Sequence, residues 1–281
     1  MFEKEIINWF KKNKRDLPWR NTDAWGVLVS EFMLQQTPVN RVQPVYEAWI
    51  KKWPTAAALA QASTADVIKA WGRLGYPRRA LRLHECAKVI TSQHHGQIPQ
   101  SEVQLRALPG IGEYTAAAIM AFAFSKRSLV LDINIRRFFA RCFDGVESPK
   151  ASASQSEKSK YDALIPEGNP HVWAAATMEL GAVICTSQSP KCGICPVANA
   201  CKWRSLDYPK SDIVKRRQSW HGTDRQCRGT IVQALRENEI LTKNQISQLW
   251  DVPSQLEKAL LTLLDDGLIE LRGKNKFSLP R

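Results

Sequence analysis

The chain has 281 residues, 44% of them hydrophobic, with 40 Lys and Arg against 27 Asp and Glu, a formal net charge of +13. That length allows two or three modules with a sizeable core, and the charge favours a polyanionic partner, nucleic acid before membrane. No apolar run approaches the ~20 residues of a membrane span, and the charged start MFEKEIINWFKKNKR does not read as a signal peptide. Seven cysteines, four of them bunched, argue against a disulfide framework and for a reducing cytoplasm with a metal site.

Taken in order, the chain reads as helix after helix. Phe2, Ile6, Trp9 and Phe10 fall at helical spacing, so residues 2–13 form one amphipathic helix. Arg15 to Thr22, RDLPWRNT, is an extended basic segment around Pro18. Ala24 to Gln36 is apolar on most sides with Glu31 embedded in it, and carboxylates are rarely placed there unless paired or used. Pro38 turns the chain into a helix from Arg41 to Lys52, which Trp53-Pro54 ends. Ser63 or Thr64 opens the next, which carries Val67, Ile68 and Trp71 and stops at GRLGYPRR, Gly72 to Arg79. Arg82 to Gln93 is helical again, and strand signals are almost absent up to residue 205.

The stretch from Leu108 to Asn134, LPGIGEYTAAAIMAFAFSKRSLVLDIN, carries the first sign of chemistry. Gly110 and Gly112 make a tight turn between a short helix, 101–107, with Ser101 as N-cap, and a helix from Tyr114 to Phe124. The amides of Ile111, Gly112 and Glu113 then open a helix N-terminus, which suits a phosphate. This is the helix-hairpin-helix pattern for gripping a DNA backbone; an ordinary αα-turn is the plainer alternative for a bare Gly-x-Gly. Asp132 stands just before a helix from Ile133 to Arg141. Residues 146–158, rich in Ser and Lys, read as an exposed loop, and a helix from Trp173 to Val183 leads into the cysteines.

Cys185, Cys192, Cys195 and Cys201 are spaced C-x6-C-x2-C-x5-C. Zinc sites more often come as two C-x2-C knuckles on a longer span, so this single uneven loop fits a [4Fe–4S] cluster better. Its expected role is structural, pinning a loop that bears Lys191, Lys202 and Arg204 for phosphate contact, and a redox role stays open. Cys86, Cys142 and Cys227 lack such spacing and read as packing residues, Cys227 alternatively as a partly exposed thiol.

Beyond Cys201 a basic linker, 206–217, contains Pro209 and little apolar content, which suits a domain boundary. The tail, 218–281, has nine Lys and Arg against eight Asp and Glu. Arg228 to Glu237 reads as a helix, and Thr242 with Gln245 and Ser254 with Glu257 as two capping boxes that open two more. Gly267 ends the last, and LIEL and KFSL flank RGKN as a hairpin. Three helices and a hairpin make a winged-helix-like module whose wing, with Arg272, Lys274 and Lys276, could touch DNA; protein contact or plain packing is an equal alternative.

Four separated signatures coincide: LPGIGEYTA, the Asp of VLDIN, Glu31 with LQQT, and the cysteine spacing. Together they resemble the helix-hairpin-helix DNA glycosylases of the endonuclease III superfamily, and SEFMLQQT and WGRLGY resemble in particular its adenine DNA glycosylases. The resemblance covers about residues 1–205 and implies a mainly α, two-lobed fold. A six-helix barrel would span about 22–130, and residues 1–21 and 131–205 would form the lobe with the [4Fe–4S] loop. Double-stranded DNA containing a mismatch or lesion would lie in the groove between them. A monomer acting at the nucleoid of the cytoplasm is expected.

Breaking an N-glycosidic bond to a purine asks for a proton on the departing base and stabilisation of an oxocarbenium sugar, tasks for two carboxylates of different character. By the resemblance, Glu31 is the acid that serves N7 of adenine. Asp132 stays ionised and stabilises or transiently bonds the anomeric carbon, and Tyr114 orders the nucleophile. The plainer alternatives are a buried salt-bridge partner for Glu31 and a helix N-cap for Asp132, which can be both. Bifunctional relatives carry a lysine where Tyr114 stands; tyrosine cannot form the imine that cuts the strand, so a monofunctional enzyme is expected. An everted base leaves a hole to fill. Gln36 and Tyr76 match the family's wedge residues, with Leu34, Thr37 and Leu74 beside them. Arg15, Trp19, Arg20 and Glu179 match positions lining the adenine pocket, and Asn134 the polar partner of Asp132, while Gly110 and Gly112 hold the backbone.

Ile133 and Pro77 depart from the pattern, where glycine and a second tyrosine are usual. The tail departs most: it is too short and wrongly patterned for the Nudix-like domain that inspects 8-oxoguanine in many adenine glycosylases. The expected reaction is removal of adenine opposite 8-oxoguanine or guanine. The alternatives are the same scaffold removing hypoxanthine, or thymine or uracil opposite guanine, and a non-catalytic Fe–S DNA-binding regulator.

Overall fold

A computed structural model of the chain describes residues 2–211 and 220–281. Helices dominate. They are α1 (Glu3–Asn13), α2 (Ala24–Leu34), α3 (Val39–Lys52), α4 (Ala56–Ala60), α5 (Thr64–Trp71), α6 (Arg78–Gln93), α7 (Glu102–Ala107), α8 (Glu113–Phe124), α9 (Ile133–Phe139), α10 (Gln155–Asp162), α11 (Pro170–Val183) and α12 (Lys202–Ser205). The tail adds α13 (Asp224–Glu237), β1 (Leu241–Thr242), α14 (Lys243–Ser247), α15 (Pro253–Asp265), β2 (Glu270–Arg272) and β3 (Lys276–Ser278). Among the described residues no helix is long and apolar enough to cross a membrane.

The chain divides into two compact units. The first takes Met1–Val27, Gln100–Arg106 and Ile111–Lys215. Its core gathers Ile6 and Phe10 of α1, Ala118 and Ala121 of α8, Ile135, Phe138 and Phe139 of α9, Tyr161, and Trp173 and Leu180 of α11. Helix α8, AAAIMAFAF after its first turn, is apolar all round and is buried accordingly. Phe139 meets the Tyr161 ring edge-on at 5.0 Å, and such pairs add to the burial itself. Part of the loop expected over 146–158 is helical instead. Ser154 accepts from the Glu157 amide and opens α10, and Arg136 bonds Glu157 at 3.0 Å, a partner 21 residues away that a local reading does not see. Where an extended segment was expected around Pro18, the chain makes a 3-10 turn, Pro18–Arg20.

The second unit takes Leu28–Pro99, Ala107–Gly110 and Arg216–Arg281. Its tail forms three helices and a small sheet of order β1-β3-β2, a winged-helix-like arrangement with Phe277 facing Leu241 and Leu271. The Thr242–Gln245 capping box is formed. The Ser254–Glu257 box is not: Pro253 takes the first helical position and Val252 the cap, which places Ser254 inside the helix. Cys227 is fully buried, so it is a packing residue and not an exposed thiol. The basic linker lies outside the described residues from 212 onward.

Candidate active site

In the second unit Glu31 is 6% exposed on α2, among the fully buried Leu28, Phe32 and Met33. The helix ends at Leu34, and Gln36 follows with φ 56. Tyr76 stands on the turn before α6 with φ 45 and is 44% exposed. A left-handed backbone at a bulky residue costs on the order of 1–2 kcal/mol, and such strain gathers at functional sites. One arginine holds both turns. Arg79 Nη1 donates to the carbonyls of Phe32 at 2.9 Å and Met33 at 3.1 Å, while Nη2 donates to Thr37 Oγ1 at 2.8 Å and the Gly75 carbonyl at 3.1 Å. Thr37 Oγ1 in turn donates to the Leu74 carbonyl at 3.1 Å. Leu34, Gln36, Thr37, Leu74 and Tyr76 are thus brought onto one clasped pair of turns. Burial pulls the Arg79 guanidinium down to about 10, so it stays charged at neutral pH. Sequence reasoning missed Arg79.

The hairpin needs its first glycine. Gly110 has φ +81, and a Cβ there would lie 2.8 Å from Phe32 Cε1 and 2.9 Å from Arg82 Cβ. Gly112 has extended backbone and caps α8. A Cβ built on it meets nothing within 4 Å among the described residues, so its face is open to a ligand. The Glu113 carboxylate, at the start of α8, is held by Lys158 Nζ at 2.6 and 2.8 Å.

In the first unit Asp132 caps α9. Its Oδ1 accepts from the Ile135 amide at 2.6 Å and its Oδ2 from Asn134 Nδ2 at 2.6 Å. Burial pushes its carboxyl up, opposed by these hydrogen bonds and by the Arg137 charge, and the net direction is up. Arg137, 7% exposed, donates from Nη2 to Asn134 Oδ1 at 2.9 Å and from Nε to the Cys185 carbonyl at 2.7 Å. A continuous run of hydrogen bonds therefore joins Asp132, Asn134, Arg137 and the first cysteine of the loop. It depends on Gly181, where a Cβ would sit 2.4 Å from the Asn134 carbonyl oxygen. Neither Arg137 nor Gly181 was singled out from the sequence. Tyr114 is half-buried against the core of the same unit.

Arg15, Arg20 and Glu179 come together. Arg15 Nε and Nη2 hold the two Glu179 oxygens at 2.8 Å each, and Arg20 Nη2 adds a bond at 2.9 Å. Burial raises the Glu179 carboxyl, but the hydrogen bonds from Arg15 and both cationic charges outweigh it, and the net shift is down. Trp19 is half-buried between the two arginines in sequence.

Cys185, Cys192, Cys195 and Cys201 line one cavity with Phe138, Ile184 and Val197. A single zinc ion at ~2.3 Å from each sulfur would draw the four to roughly 3.8 Å from one another. Among the described residues no three His, Cys, Asp or Glu side chains stand close enough to hold one ion. Four sulfurs ringing a cavity suit a multi-iron cube. Arg141, 1% exposed, supplies positive charge beside it, with Nη1 3.5 Å from Cys185 Sγ and its guanidinium 4.5 Å over the Trp203 ring. Cys142, 2% exposed, lines the cavity too and packs in the same apolar core. The sequence reading of Cys142 as a packing residue agrees with that burial. Lys191, Lys202 and Arg204 are exposed around the loop.

The model of HhH-GPD superfamily base excision DNA repair proteins matches residues 29–160, and that of the iron-sulfur binding domain of endonuclease III matches residues 185–201, from the first of the four cysteines to the last. The adenine DNA glycosylase of Mycolicibacterium smegmatis is 46% identical over 98% of this chain and 94% of its own length. The human adenine DNA glycosylase is 38% identical over 72% of this chain and 39% of its own. Among solved structures, a thermostable thymine-DNA glycosylase superposes with a TM-score of 0.67 at 27% identity, covering 73% of this chain and 95% of that one. The fold and the cysteine loop define a helix-hairpin-helix base excision repair protein with a [4Fe–4S] cluster. The chain belongs to the adenine DNA glycosylase family.

The four cysteines would hold the cluster, which supplies a rigid inorganic centre that cross-links the loop. Purified under reducing, anaerobic conditions, the protein is expected to be brown, with absorption near ~400 nm, and Cys192→Ala is expected to lose that band. A colourless protein with one equivalent of zinc would overturn the assignment.

Proposed function

We propose that the chain is a monofunctional glycosylase that hydrolyses the bond between adenine and deoxyribose where adenine faces 8-oxoguanine or guanine in double-stranded DNA. The observation that carries this is Asp132, a half-buried carboxylate oriented through both oxygens and tied to the cluster loop, in a chain of this family. Asp132 stabilises the electron-poor anomeric carbon, and Glu31, buried in an apolar helix, delivers the proton to the leaving base. Tyr114 orders the nucleophile. Gln36 and Tyr76 fill the space the adenine leaves, with Leu34, Thr37 and Leu74 shaping the same turns. The Arg15–Glu179–Arg20 cluster and Trp19 shape the adenine pocket, Asn134 orients Asp132, and the Gly110–Gly112 hairpin holds a phosphate. The enzyme works as a monomer at the nucleoid, where the cytoplasm keeps its thiols reduced.

A likeness in fold to a thymine-DNA glycosylase leaves the base to be chosen by side chains, so the test is a panel of duplexes carrying A, T, U or hypoxanthine opposite G and 8-oxoguanine. Excision confined to adenine, leaving an intact strand at the abasic site, is the expected result. Strand cleavage by β-elimination, or preference for a pyrimidine, would contradict the proposal.

The rate also has an expected pH dependence. The Asp132 carboxyl is raised by burial, so its anion is lost on acidification at a higher pH than the ~3.9 of an ordinary aspartate. Single-turnover excision should fall as pH drops through that raised value and should be restored on return to neutral pH. A rate flat down to about pH 4 would remove Asp132 from its ionised role.

A further inference from the structure

The tail is fastened on both sides of the turn that carries Tyr76. Before the turn, Ile68 of α5 lies in one apolar cluster with Cys227, Ile231, Leu235 and Leu263, and Arg236 Nε donates to the Ile68 carbonyl at 3.0 Å. After the turn, Arg78 pairs with Asp266 at 3.3 Å. Between these anchors Arg225 of α13 donates from Nη1 to Tyr76 Oη at 3.0 Å. The Arg79 guanidinium faces the same ring at 5.7 Å, so Tyr76 is held by an arginine at its hydroxyl and another at its face. Arg225 also lies 5.3 Å over the ring of Trp220. Trp220 is 49% exposed, yet it is not loose: its ring edge lies 3.9 Å from where a Cβ on Gly229 would stand.

Two half-exposed aromatic rings with a guanidinium between them form a surface on which unstacked bases bind, by stacking and by cation–π attraction. Packing alone does not account for it, since both rings leave nearly half their surface in solvent and Tyr76 keeps a left-handed backbone.

We propose that the C-terminal module is part of the lesion-reading surface: Arg225 is a positioning residue that fixes the Tyr76 ring, and Trp220 stacks on the base orphaned when its partner is everted. This rests on the reading of Gln36 and Tyr76 as residues that enter the duplex. It assigns the choice of opposite base to residues 220–225 together with Tyr76. A purine offers the larger stacking face, which suits guanine and 8-oxoguanine.

The test uses full-length Trp220→Ala, Arg225→Met and Tyr76→Phe, singly and in pairs. Binding is measured on duplexes with non-hydrolysable 2′-fluoro-deoxyadenosine opposite 8-oxoguanine, guanine or an abasic site, alongside thermal stability. Trp220→Ala is expected to weaken binding roughly tenfold opposite either purine and to leave binding opposite the abasic site unchanged. Arg225→Met and Tyr76→Phe should each shift the 8-oxoguanine-to-guanine preference, and the pair should shift it no further than either alone. Loss of thermal stability with unchanged preference, or effects that multiply as for independent residues, would overturn the proposal. If the wild-type chain excises adenine while all three variants keep its preference, this inference alone fails. If the wild-type chain leaves adenine in place, the underlying reading fails first.

Discussion

Asp132→Asn should excise adenine roughly a thousandfold more slowly than the wild type while keeping its fold and its affinity for duplex DNA. Asparagine is a good N-cap, so Oδ1 can still accept from the Ile135 amide and α9 keeps its start. The second oxygen becomes an amide that faces Asn134 Nδ2, now donor against donor, at a cost of about 1 kcal/mol. What disappears is the negative charge proposed to stabilise the oxocarbenium sugar as the base departs. Glu31→Gln should lose a comparable factor, in the range of about 10²–10⁴ for a positioned proton donor. Single-turnover kinetics and fluorescence anisotropy on one duplex decide both. Undiminished excision by either variant would take that residue out of the chemistry.

Arg79→Met should have the second-largest effect, and on a different quantity. The guanidinium ties carbonyls at the end of α2 to Thr37 and to the Gly75 carbonyl, so its removal frees two turns at once. Bonds from a charged donor contribute about 1.5–3 kcal/mol each. Loss of about 3 kcal/mol of stability is expected, because some acceptors gain water. Excision from duplex should fall by about a hundredfold, since Gln36 and Tyr76 lose the frame that holds their left-handed backbone. Arg79→Lys should recover only part, since an ammonium lacks the fork that meets several oxygens together. Wild-type excision by Arg79→Met with lowered thermal stability would show the clasp to be scaffolding alone.

What could be read from the chain was what depends on neighbours in sequence. The hairpin was legible because two glycines sit between a short helix and a long apolar one, and Gly110 indeed has no room for a Cβ. Asp132 was legible as a cap because it precedes a helix, and the metal loop because ligand spacing is a local property. The illegible part consists of arginines. In RRFFAR the guanidinium groups look like a solvated face, yet Arg136, Arg137 and Arg141 are all buried, and most of their acceptors are carbonyls on loops and helices far along the chain. Arg79 likewise reads as one more cation in YPRR, and most of its acceptors lie more than 40 residues away. Ser254 misled for a related reason: a cap motif is a competition, and Pro253 wins the start of α15.

The residue with least chemistry of its own governs how closely α9 and α11 approach. Adding one methyl at position 181 would press on the Asn134 peptide, and relief would have to come from sliding one helix along the other. Since Arg137 reads both that peptide's side chain and the Gly181 carbonyl, the displacement would reach the carboxylate of Asp132 without touching it. Tolerance to substitution in this site is thus decided by an absent side chain on the neighbouring helix.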